Sequence, residues 1–99
     1  MRFEEHVRRA LDSLPPELAR ALENVAVVVE DENPAEPDLY GLFEEQEYMP
    51  AKVAIYRLPL EEDFPDPQEL EHEIRVTVLH ELAHYFGIEE ERIAELGYD

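Results

Sequence analysis

The sequence has no cysteine, which removes disulfide frameworks, thiolate metal sites and thiol nucleophiles in one step. Any transition metal must then be held by histidine and carboxylate, and the redox compartment stays open. Basic residues are also scarce: 8 Lys and Arg stand against 26 Asp and Glu, for a formal charge of -18. Such a chain repels phosphate backbones and anionic lipid headgroups over the Debye length. Neither nucleic acid nor membrane is expected as a partner, and the acidity reads first as a solvated surface. Also missing is any apolar run near the roughly 20 residues that cross a bilayer. The opening "MRFEEHVRRALDSL" is amphipathic and charged where a secretory leader carries an apolar stretch. The expectation is a soluble, cytoplasmic protein forming one domain over residues 1–99, with no room for a regulatory domain.

Phe3, Val7, Leu11 and Leu14 recur at spacings of four and three, which predicts a helix over residues 2–13. Pro15 and Pro16 suit the first turn of a second helix reaching Glu23, because the N–H groups there have no helical partner to lose. "VAVVVE", 25–30, is a continuous β-branched run and reads as a strand buried on both faces. Seven acids, Gly41 and the prolines 34, 37 and 50 make most of 31–50 loop, with a short strand at "LYGLF", 39–43. "AKVAIYR", 51–57, is a clearer strand, and Lys52 suits an edge position where a charge discourages stray pairing. No internal repeat is present.

The strongest helix signals lie in "FPDPQELEHEIRVTVLHELAHYFG". Asp66 reads as the N-cap, Pro67 as the first helical residue, Glu69 as the partner in a capping box and Gly87 as the stop. That gives a helix of about 20 residues, roughly 30 Å long, and "EEERIAEL" adds one or two turns. At about 100° per residue, His80, His84, Thr77 and Glu81 share one arc while apolar side chains fill most of the rest. A helix with so much apolar surface is a core helix, and burying two imidazoles beside a carboxylate requires compensation that a cation supplies. Histidines four apart stack one above the other and can reach one zinc, with Glu81 beside the pair. Glycine turns the chain back without steric cost at position 87, bringing Glu90 beneath the histidines as a third ligand. Its neighbours Glu89 and Glu91 offer the same chemistry. His6 and His72 read as surface histidines.

The pattern HExxHxxGxx followed by an acid resembles the small bacterial zincin-like metallopeptidases. The similarity extends over "LPPEL", "LYGLFE", "VAIYRLPLE" and "VTVLHELAHYFGIEEERIAELGY". The resemblance implies an α+β, minimal zincin-like fold: a small mixed β-sheet of about three strands packed against an active-site helix and two N-terminal helices. It implies one zinc per chain held by His80, His84 and Glu90, with Glu81 as general base. The family more usually has aspartate at the third-ligand position. Unlike metzincins, the chain lacks a third histidine and a methionine beneath the metal, its methionines being Met1 and Met49. The few residues after Glu90 cannot build the second wall that larger zincins have, so an open cleft is expected, or one completed by a homo-oligomer or another partner.

The reaction this implies is hydrolysis of a peptide or protein substrate by a metal-activated water. With residues 51–57 as a sheet edge, an extended peptide would add to Val53, Ala54 and Ile55 as a further strand, with Lys52 and Arg57 selecting acidic sequences. Tyr98, or Tyr85, would donate a hydrogen bond to the oxyanion, although a packed tyrosine is the plainer role for each. The alternative is a non-catalytic metal-binding or acidic interaction module on the same scaffold. An intact Glu81 argues against it, because a purely structural metal site needs no general base.

Overall fold

A computed structural model describes residues 2–87 and 89–98. Five helices and three strands follow in the order α1 (Phe3–Asp12), α2 (Pro16–Ala19), β1 (Val25–Glu30), β2 (Gly41–Glu44), β3 (Ala51–Tyr56), α3 (Arg57–Asp63), α4 (Pro67–Phe86) and α5 (Glu90–Glu95). The architecture is α+β. The sheet is mixed, with β3 in the centre, β1 parallel to it on one side and β2 antiparallel on the other.

Local chemistry sets the bounds of α4. The Asp66 carboxylate accepts hydrogen bonds from the Gln68 and Glu69 N–H groups at 3.1 Å each, satisfying two donors that have no partner inside the helix. Pro67 follows at the first helical position. At the other end Gly87 adopts φ 67°, ψ 25°, a left-handed conformation that would strain any side chain with a Cβ.

Between these stops α4 buries two adjoining stripes. Leu70, Ile74, Val78 and Leu82 pack with Val53 and Ile55 of the sheet and with Phe3, Val7 and Ala10 of α1. Leu79 and Ala83 pack with Leu14, Leu18 and Ile93, so that α5 is seated against the same helix. Polar side-chain contacts reinforce this frame at its margins. Arg92 of α5 lies 2.6 Å from Glu17 of α2, and His6 of α1 lies 2.6 Å from Glu71 of α4.

Several expectations from the sequence change here. β1 is an edge strand whose side chains are half-buried or exposed, because helices cover one face of the sheet and its valines at 25, 27 and 29 are needed on that face alone. β3 is the central strand, so Lys52 is not at an edge. Its ammonium sits 3.8 Å from both Glu30 and Glu44 of the flanking strands, which is how a charge is accommodated in mid-sheet. The helix after Pro15 is one turn long and closes in a 3₁₀ turn at Arg20–Leu22. α3 was not anticipated. Pro59 looks like a breaker, yet it occupies the third helical position, where its missing N–H costs no hydrogen bond. His6 is not a surface residue: it is 7% exposed and paired with Glu71. His72 is half-buried and stacks on Tyr98, ring centroids 6.3 Å apart.

Tyr40 ties the loop before β2 to the end of α3. Its hydroxyl donates to the Asp63 carboxylate and its ring meets Phe64 edge-on at 5.6 Å. The hydrogen bond to Asp63, followed by desolvation, raises its pKa from 10.0 to about 12. The folded state therefore favours the neutral phenol. The stability this contributes is fully present below the unfolded pKa and is lost as pH rises through the folded one. The prediction is that Tyr40→Phe lowers the urea midpoint at pH 8, and that the gap to the native protein closes between pH 10.0 and about 12. A gap independent of pH in that window would show that the hydrogen bond is not what Tyr40 contributes.

Candidate active site

His80, Glu81 and His84 occupy the last two turns of α4, in the arc that neither buried stripe uses. On one side of this arc runs β2 and on the other α5. Three contacts fix the β2 side. Gly41 faces Thr77 so closely that a Cβ there would lie 2.6 Å from Thr77 Cγ2 and 3.0 Å from the Ala54 carbonyl oxygen. The Phe43 N–H donates to the Glu81 carboxylate. The Phe43 ring stacks on Tyr85, centroids 4.4 Å apart at 28°.

The direction of the Phe43 N–H follows from strand register. Tyr56 N–H donates to the Tyr40 carbonyl at 2.9 Å, and pairing runs one to one through Gly41↔Ile55 and Phe43↔Val53. In an antiparallel ladder, alternate residues then turn their backbone groups away from the partner strand. Gly41 and Phe43 do so, and the outward N–H of Phe43 meets Glu81.

Partial burial is the main influence on Glu81 and pushes its carboxyl above the ordinary range; His84, the Phe43 N–H and His80 act in the opposite direction. The result is a carboxylate that takes up a proton more readily than one on the surface, yet keeps one oxygen oriented by the backbone. Tyr85 is raised as well, chiefly by its hydrogen bond to Glu45.

On the α5 side, Glu90 Oε1 lies 3.8 Å from His80 Nδ1. Its placement depends on the left-handed turn at Gly87 and on Ile93, which is fully buried in the second core cluster. The geometry thus separates Glu90 from its neighbours in the acidic run. Glu90 is exposed, as is His84, while His80 is half-buried. Two imidazoles and a carboxylate are a donor set that suits zinc in kind. Among the described residues, no three such groups already converge as a finished metal cage, so closure requires side-chain rotation of these accessible groups.

The other residues named from sequence lie elsewhere. Val53, Ala54 and Ile55 are 0% exposed on the central strand, hydrogen-bonded to a strand on each side; they have no free edge for a peptide, and β2 is the edge beside the histidines. Tyr98 is half-buried against His72 and the second core cluster, a packed tyrosine. Arg57 is held by Asp31 at 3.0 Å and Glu61 at 2.7 Å, at the end of β3 away from the β2–β3 turn. With Lys52 also paired, neither base is placed to select acidic sequences. Gly41, Phe43 and Glu45 were missed. The one available signal was a glycine at a strand start, which marks close approach of another element.

Glu81 and His84 open onto a shallow depression of about 450 Å³ that Phe43, Glu45 and Tyr85 also line. A more enclosed cleft of about 560 Å³, bordered by His6, Arg9, Phe64 and Glu71, lies at the other end of α4. That end is roughly 15 Å away along the helix, and none of the HExxH residues reaches it.

A helix with two histidines four apart, a half-buried glutamate between them and a strand edge alongside has the residue pattern of metal-dependent hydrolases. The comparison with known families makes this specific: the sequence model of the zincin-like metallopeptidases matches residues 22–98, and the chain belongs to that family. A search of curated protein sequences gives no match.

Gly41 offers a direct test of how β2 is set. Gly41→Ala forces a methyl against Thr77 and the Ala54 carbonyl and is predicted to destabilise the fold by about 1–3 kcal/mol. Adding Thr77→Ser, which removes the nearer methyl, is predicted to restore at least half of that loss in urea denaturation. Simple additivity of the two changes would show that the contact does not set the spacing.

Proposed function

We propose that this protein is a zinc-dependent peptidase in which His80, His84 and Glu90 hold the metal and Glu81 is the general base. The observation that carries the reading is the position of Glu81, half-buried between the histidines with one carboxylate oxygen occupied by the Phe43 N–H. When bound at these three side chains, zinc supplies Lewis acidity, lowering the pKa of a water to about 7 and favouring negative charge on a carbonyl oxygen.

The chain's own groups do the remainder. The Phe43 N–H fixes one oxygen of Glu81 and leaves the other to accept a proton from the attacking water. Its raised proton affinity suits that step, and the same carboxyl then returns the proton to the leaving amine. An extended peptide would add as a strand along the outer edge of β2 beside the histidines, where Phe43 is half-buried and Glu45 exposed, which replaces the β3 edge expected from sequence.

The open, one-sided depression is the observation that favours the rival reading, a scaffold that binds without turnover. Glu81→Gln separates the two. Hydrolysis of an unfolded protein substrate by the zinc-loaded enzyme is predicted to fall by about 100-fold or more, with the circular dichroism spectrum unchanged. Equal hydrolysis by both proteins would remove Glu81 from the mechanism.

A further inference from the structure

The depression beside Glu81 has a wall that the hydrolytic chemistry does not use. Tyr85 follows His84 directly and remains 46% exposed although its ring is stacked on Phe43. Phe86 meets Tyr85 edge-on at 4.8 Å and is equally exposed. The Tyr85 hydroxyl donates to Glu45, which is itself exposed and lines the same depression. Nearly half of the surface of each aromatic residue is left to solvent in the folded chain. The hydrogen bond and the stack nevertheless hold the Tyr85 ring in one orientation.

No lysine or arginine lines this depression. Lys52, Arg57 and Arg92 have carboxylate partners at other places, and Arg75 donates to the Ser13 hydroxyl. The depression thus lies on a chain with charge -18 and has no basic side chain in its described lining, and an acidic surface of this kind concentrates positive ligands.

We propose that Phe43, Tyr85 and Glu45 form a pocket for a basic side chain of the bound peptide, so that substrates with arginine or lysine near the attacked bond are selected. This rests on the peptidase reading of the same site. An alkyl stem lies along the aromatic faces, where a cation is attracted by the ring quadrupole. The charged head then reaches Glu45, whose carboxylate keeps acceptor capacity beyond the single Tyr85 hydroxyl. A glutamate at the same place meets like charge and no donor except that hydroxyl. An apolar residue gains the rings but leaves Glu45 unused.

The test uses labelled serine–alanine peptides with one guest residue, arginine, leucine or glutamate, moved along the sequence. Binding to zinc-loaded Glu81→Gln protein is read by fluorescence anisotropy, and cleavage by the native protein is read in parallel. At the best position arginine is expected to bind about tenfold more tightly than leucine, with glutamate weakest. Adding Glu45→Gln or Tyr85→Ala abolishes most of that preference, while adding Glu62→Gln, an exposed carboxylate on α3 at the opposite end of the sheet, leaves it intact. Equal loss with Glu62→Gln reduces the effect to net charge and overturns the pocket, as does a preference that survives Glu45→Gln. Cleavage without residue preference removes the pocket and keeps the peptidase; preferential binding without any cleavage keeps the pocket and removes the peptidase.

Discussion

Helix α4 must bury two apolar stripes at once, and the geometry of the whole site follows from that obligation. Leu70, Ile74, Val78 and Leu82 commit one side to the sheet and α1, while Leu79 and Ala83 commit the adjoining side to Leu18 and Ile93. What remains is the arc between β2 and α5, and the helical period places His80, Glu81 and His84 there. Each flank then contributes one polar group, the Phe43 N–H from the strand and the Glu90 carboxylate from the helix. Gly41 permits the strand to lie this close, and Gly87 permits the chain to turn back.

Features set by neighbours in sequence were legible before the fold was known. The cap at Asp66, the stop at Gly87 and the common face of the two histidines follow from local rules, and the structure shows a 20-residue helix between those limits. Strand order was not legible. The valines of β1 look like those of a strand buried on both sides, but apolarity alone does not say how many faces are covered. β3 carries a lysine that looks like an edge device, but Glu30 and Glu44 neutralise it from both neighbours. Val53, Ala54 and Ile55 read as a free edge for that reason, whereas they are buried on the central strand and the edge beside the histidines is β2. Phe43 and Glu45 sit nearly forty positions before Glu81, and only pairing of β2 with β3 brings them to the helix. Glu90 lies between: spacing limited the choice to an acidic run of three, and in the structure the middle one lies 3.8 Å from His80 Nδ1.

The excess of acid has a structural side as well. Carboxylates serve as the N-cap of α4 and as partners for Lys52, Arg57 and Arg92. Exposed pairs of this kind contribute little individually. Their larger consequence is that Lys52, Arg57 and Arg92 are paired away from the histidines. On the proposed reading, attraction of a metal cation and of a basic peptide would share one origin, and both would weaken as salt is raised.

The account depends on one shared centre built from His80, His84 and Glu90. Calorimetric titration of metal-free protein with zinc, beside the His80→Ala variant, tests it most directly. The account predicts about one zinc per chain for the native protein and no comparable binding by the variant, whose fold is verified by circular dichroism. Zinc bound equally by both proteins, or by neither, would contradict it.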